Sequence, residues 1–256
     1  MGFIINVFIG LTIAVVIYIR SRDRGSKEPA SMLWAAAAFG LLAIALAVPL
    51  ELLLTSIDAA NLEKPLGITA GAFYDGFAVG IIEELAKFLP LALFIYKKRY
   101  FNEHTDGILY FGLAGIGFGL PENILYTLDG GAGTGIGRLI LTPFFHAATT
   151  SFVGYYLARH KLRGGSWRPV IVALAAMIVA HGYYDFGLMT GVVALVLSAF
   201  VTSFALTGTF FWLIVHAQHE DQKLGISTVG VNTFCRSCGS SNPKHNLYCY
   251  RCGNHT

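Results

Sequence analysis

The chain has 256 residues, of which 55% are hydrophobic and only 13% charged, and its mean hydropathy is +0.60. Soluble domains carry roughly 25% charged residues, so this composition excludes a soluble globular enzyme and predicts an all-α fold, a polytopic transmembrane helical bundle. The net charge of +3 is small, and the four cysteines all lie beyond residue 234, so no disulfide staples the apolar part to itself.

Seven apolar runs follow in order, at residues 3–19, 32–55, 71–96, 107–128, 139–158, 169–188 and 192–215. The first has no basic residue before it and no small-residue cleavage site after it, and Arg20, Arg22, Arg24 and Lys27 close it. That is the pattern of a retained anchor with its N-terminus outside. Pro49 and Glu51 lie toward the end of the second run, and Lys97, Lys98 and Arg99 close the third. A glycine-rich turn, Gly130 to Gly135, follows the fourth, while Arg159, Lys161 and Arg163 end the fifth. Of the 18 lysines and arginines, 15 then fall on one side of the membrane, with only Lys64 and Arg138 opposite and Lys87 within it. The positive-inside rule makes the chain a multi-pass cell-membrane protein with its C-terminus in the cytoplasm.

Ionised residues are costly in a bilayer, so those inside the runs carry information. Glu83, Glu84 and Lys87 lie on the third run, Glu122 and Asn123 on the fourth, His146 on the fifth, and His181 with Asp185 on the sixth. Counting residues from the outer ends places Glu83 and Glu84 roughly 18 Å deep and Glu122, His146, His181 and Asp185 roughly 5–12 Å deep. Four helices thus offer polar groups to the outer half of the membrane, as one shared cavity requires. Each group also has a plainer reading. Glu83 and Lys87 can pair at i,i+4 along one helix, Pro121 can kink its helix beside Glu122 and Asn123, and a membrane histidine often serves a helix–helix hydrogen bond.

In order and spacing, Glu83-Glu84-x-x-Lys87, Phe118-x-x-x-Glu122-Asn123, His146 in a Phe-Phe-His-Ala run and His181-x-x-x-Asp185 resemble the PrsW family of intramembrane proteases. That family is a branch of the superfamily that includes the type II CAAX prenyl endopeptidases. The resemblance covers about residues 30–216. It implies a glutamate-type peptidase with no required active-site metal, cutting a membrane-tethered protein such as an anti-sigma factor on the outer side. In the superfamily the second motif ends in histidine, whereas Glu122 stands there in this chain. Peptide hydrolysis needs an activated water and oxyanion donors. Glu83 is the expected base, with Glu122 sharing the water's proton. His146, His181 and Asn123 are the expected donors, Lys87 keeps Glu84 or Glu83 ionised, and Asp185 orients His181. A proton-coupled transporter or channel using the same residues as a relay is the alternative of a different class.

The tail is a separate module. Cys235-x-x-Cys238 and Cys249-x-x-Cys252 can surround one structural Zn²⁺ with four thiolates, making a small cytoplasmic zinc ribbon. The expected organisation is a membrane domain over 1–216, a linker over 217–232 and the ribbon over 233–256. The ribbon is either a stable cap or a site for a cytoplasmic protein partner, and its arginines and tyrosines do not single out nucleic acid. A silent membrane adaptor working through the ribbon is the third reading of the whole chain.

Overall fold

A computed structural model describes residues 1–23, 27–66, 68–142, 144–224, 232–243 and 247–255. Expectations placed on Arg24, on Lys244 and on linker residues 225–231 lie outside the described residues, as does the side chain of Lys64. The elements are α1 (Gly2–Arg22), α2 (Ala30–Leu66), α3 (Ile68–Pro90) with a π-turn (Leu91–Ile95), α4 (His104–Leu141), α5 (Phe145–Arg163), α6 (Arg168–Met189), α7 (Val193–Lys223), β1 (Asn232–Phe234) and β2 (Ser241–Pro243).

Five helices among the described residues are long and apolar enough to cross a membrane: α1, α2 as far as Leu54, α4, α6 and α7. The two remaining helices are more polar for a visible reason. Residues Asp75, Glu83, Glu84 and Lys87 belong to α3, and His146, Thr149, Thr150 and Ser151 form a buried polar run on α5. Helices of that composition line an interior rather than face lipid. The centre of the bundle is α4, 72% of whose most apolar window is buried against 22% for α1, α2 and α7.

Small residues set the closest crossings, as they do where packing rather than hydrophobicity joins helices in lipid. A Cβ on Gly80 of α3 would stand 2.7 Å from the backbone nitrogen of Gly182 on α6. On Gly107 of α4 it would stand 2.2 Å from the carbonyl oxygen of Gly154 on α5. The first contact brings the Glu83–Glu84 turn directly beside His181.

Two elements depart from the expected runs. The fifth run was expected to begin at Leu139, but Leu139 lies in the last turn of α4, which ends at Leu141, and α5 starts at Phe145. The last helix does not stop near residue 215; it continues to Lys223 through the segment expected to be linker. Its extension has a partner, because Asp221 is buried at the start of α4. One oxygen accepts from the His104 N–H at 2.7 Å and lies 2.8 Å from His104 Nδ1, while the other accepts from the Thr105 N–H and hydroxyl at 2.9 and 2.6 Å. These are the amides a helix N-terminus leaves unsatisfied, so α7 caps α4 from 117 residues away.

In the tail, β1 and β2 pair antiparallel and four cysteines converge. Sγ of Cys235 lies 3.6 Å from that of Cys252, and Sγ of Cys238 lies 3.4 Å from that of Cys249. The two halves repeat one local design: Ser237 and Arg251 each donate their N–H to a cysteine sulfur at 3.4 Å, and Gly239 and Gly253 turn the chain at positive φ. This unit rests on the loop that follows the π-turn. Arg99 stacks over Tyr248 at 4.4 Å, and Gly253 abuts the Tyr100 hydroxyl.

Candidate active site

Adjacent residues on a helix point about 100° apart, so Glu83 and Glu84 face different surroundings. Lys87, one turn on, reaches both, with Nζ 3.2 Å from Glu83 Oε2 and 2.8 Å from Glu84 Oε1. The same ammonium lies 3.2 Å from His146 Nδ1 and 4.4 Å above the Phe118 ring. Since an ammonium only donates, His146 Nδ1 accepts. That assigns the ring proton to Nε2, which faces Glu122 Oε2 at 2.6 Å.

His181 has an acid at each nitrogen: Nδ1 is 2.8 Å from Glu84 Oε1, and Nε2 is 3.3 Å from Asp185 Oδ2 and 3.6 Å from Glu83 Oε2. Glu84 also accepts from the Thr149 hydroxyl at 3.1 Å, so Lys87, His181 and Thr149 all engage it. Every residue expected in the site, namely Glu83, Glu84, Lys87, Glu122, Asn123, His146, His181 and Asp185, is brought into this one cluster.

The cluster also contains residues the sequence reading left out. Arg138, expected in an outer loop, donates through Nη2 to Glu122 Oε1 at 2.5 Å and through Nε to Asn123 Oδ1 at 2.7 Å. Fifteen residues of straight helix would separate these groups by roughly 22 Å. Contact is achieved because the chain reverses at Gly131, at φ 81° and ψ −171°, a backbone region open essentially to glycine alone. Pro121 lies within the helix, and the break comes ten residues later. Thr142 adds a hydroxyl to the same Asn123 oxygen at 2.7 Å. With Oδ1 saturated by two donors, Asn123 keeps its NH₂ for donation. The available signals were an arginine standing alone in an apolar stretch after two glycines, and a threonine one turn beyond His146.

A cavity of about 290 Å³ opens on this cluster between α2, α3 and α4. Glu83 and Glu122 line it with Glu51, Phe118, Val48 and Leu125; Glu84 does not. A second cavity of about 340 Å³, carrying Arg138, Asp185 and Tyr184, adjoins the first across Tyr126 and Met189 and reaches Phe200 of α7. Glu122 Oε2 and Asp185 Oδ2 are buried yet have no aligned hydrogen-bond donor among the described residues. The 2.6 Å approach of His146 to Glu122 is close but out of line, so distance alone overstates that contact.

A model described as PrsW family intramembrane metalloprotease matches residues 28–231. The chain belongs to the PrsW family. It is 28% identical over 186 residues to Protease PrsW of Bacillus subtilis, covering 72% of this chain and 81% of that protein. Against the Geobacillus kaustophilus Protease PrsW it is 30% identical over 179 residues, with 69% and 76% covered, and against that of Clostridioides difficile 29% over 194 residues, with 73% and 77% covered. No solved structure matches. Both α1 and the cysteine unit lie outside the PrsW match.

The word metalloprotease in that description invites a test of the donor set. Glu83, His146 and His181 each offer a ligand atom within 4.8 Å of the others, and two imidazoles with a glutamate are a known catalytic zinc set. The Lys87 ammonium stands 3.2 Å from both Glu83 Oε2 and His146 Nδ1. As it stands the site is a lysine-centred carboxylate cluster, and a divalent ion held by these three residues would have to displace the ammonium or use Glu83 Oε1 and the other ring nitrogens.

Proposed function

We propose that this membrane-embedded PrsW-family protein is an endopeptidase that hydrolyses a peptide bond in a membrane-tethered protein, using a water activated by Glu83. The observation that carries this reading is the division of labour on one helix turn. Glu83 opens with Glu122 on the 290 Å³ cavity, while Glu84 is enclosed by Lys87, His181 and Thr149. Glu83 takes the water's proton as its oxygen attacks the carbonyl carbon. Glu122, whose Oε2 lacks an aligned donor, shares that proton. His146 Nε2–H, His181 and the Asn123 amide stabilise the oxyanion, and the proton then passes to the leaving nitrogen. Glu84 and Asp185 hold His181 in place, and Lys87 keeps the acidic pair together.

In this reading the chain crosses the membrane seven times, with its N-terminus outside and its tail in the cytoplasm, because the polar helices α3 and α5 pack inside the bundle. The substrate class suggested by the family resemblance is an anti-sigma factor-like regulator. The ribbon holds one structural zinc: Zn–S bonds of ~2.3 Å place tetrahedral sulfurs ~3.8 Å apart, close to the 3.4 and 3.6 Å separations between cysteines. Its exposed Arg236 and Arg251 are available to a cytoplasmic protein.

The test uses purified protein in liposomes with a single-span substrate and no ion gradient. Wild type should yield two fragments, and Glu83→Gln should bind the substrate but cut it ~10²–10⁴-fold more slowly. Chelation should leave cleavage intact. Inhibition by a chelator that added metal reverses would reassign Glu83, His146 and His181 as ligands. Absence of cleavage, with Glu83→Gln abolishing proton-driven uptake, would make the protein a transporter.

A further inference from the structure

Away from the polar cluster, α1 and α2 both pack on α4 but diverge from one another. α1 turns Ile4, Phe8, Val15 and Ile19 inward and leaves Ile13 and Ile17 facing out. Between the two helices lies a cavity of about 330 Å³, within the ~300–1,000 Å³ range of small-ligand sites. Its walls are Ile13 and Ile17 of α1 and Leu33 and Trp34 of α2, with Leu113 of α4 at the floor. Among the described residues, Arg20, in the last turn of α1, is the one charged residue lining it. Asp23, the nearest acid in sequence, is buried and accepts from the Glu28 N–H at 3.3 Å; its carboxylate also feels the charge of Arg20, whose own side chain remains exposed.

We infer that this groove is a binding site for an anionic phospholipid, with one acyl chain between α1 and α2 and the headgroup phosphate on the Arg20 guanidinium. The apolar walls and the Arg20 guanidinium at one end of the groove match the two parts of such a lipid. A guanidinium pairs with phosphate through two parallel donors. Arg22 and Lys27 stand within seven residues of Arg20, so the surroundings favour a lipid of net negative charge over one that carries its own cation. Trp34, 75% exposed, marks the rim where the chain enters, the level at which tryptophans sit in membranes.

The full-length protein is delipidated in detergent and titrated with dioleoyl-phosphatidylglycerol, dioleoyl-phosphatidylcholine or glycerol 3-phosphate, and bound lipid is counted by native mass spectrometry. One phosphatidylglycerol per chain should be retained, in about fivefold or greater preference to phosphatidylcholine. Because Arg20 is exposed, Arg20→Ala should fold normally and lose that preference, while Arg20→Lys should keep part of it. Phosphatidylglycerol with brominated chains should quench the fluorescence component that Trp34→Phe removes. Equal retention of the two lipids, an unaltered Arg20→Ala protein, displacement by glycerol 3-phosphate or unquenched Trp34 would each overturn the assignment.

Discussion

Lys87 touches three ionisable partners at once, Glu83, Glu84 and His146, and so fixes which of two adjacent glutamates can face the cavity. The sequence makes these residues visible because an ionisable group in an apolar run is rare and expensive. Arg138 obeys the same rule, yet it reads as a loop residue because the expected turn at Gly130 to Gly135 gives no sign that the chain resumes a helix after Gly131 and runs back along α4. Its fork bonds Glu122 and Asn123 together, a geometry that an ammonium cannot reproduce. Arg138→Ala removes a charge-assisted pair of about 1.5–3 kcal/mol, so cleavage should fall roughly 10–100-fold with substrate affinity little changed. Arg138→Lys should recover only part of that loss. Equal cleavage by wild type and Arg138→Ala in liposomes would remove Arg138 from the working site.

At the scale of elements, the helices themselves were legible in the sequence. Runs at 169–188 and 192–215 correspond to α6 and α7 within two residues at their first ends, because long apolar stretches in lipid have no alternative to helix. Element ends were not legible. The arm after Gly131 contains helix-compatible glycines that read as a turn, and the polar end of α7 reads as linker because its reason for folding, the start of α4, is remote. Gly131→Ala tests the arm. At φ 81° and ψ −171° a Cβ is strained by about 1–3 kcal/mol, so the reversal should relax and carry Arg138 away from Glu122. The variant should therefore lose activity as Arg138→Ala does, and the double variant should be no worse than either single one, as for two changes in one linkage. Independent, additive losses would show that the arm acts in some other way.

For the whole molecule, the capping of α4 by Asp221 leads us to propose an edge of the membrane domain at the end of α7, near Lys223, in place of residue 216. A chain ending after Leu224 should keep the melting temperature and cleavage rate of the full protein while losing the zinc that the four cysteines are proposed to hold. One ending at residue 216 should lose ~2–5 kcal/mol of stability, since the amides of His104 and Thr105 are left without their acceptor. Comparable melting of the two truncations would return the boundary to 216. The cavity beside Glu83 carries a consequence for whatever enters it. In an α-helix each peptide carbonyl already accepts from the N–H four residues on and is wrapped by its own side chains, whereas the proposed water sits on Glu83 at the cavity wall. On that reading a membrane-spanning partner has to open a turn before a carbonyl carbon can meet the water, so the ease with which its own turn frays, and not only the identity of the side chains flanking the bond, would select what is cut.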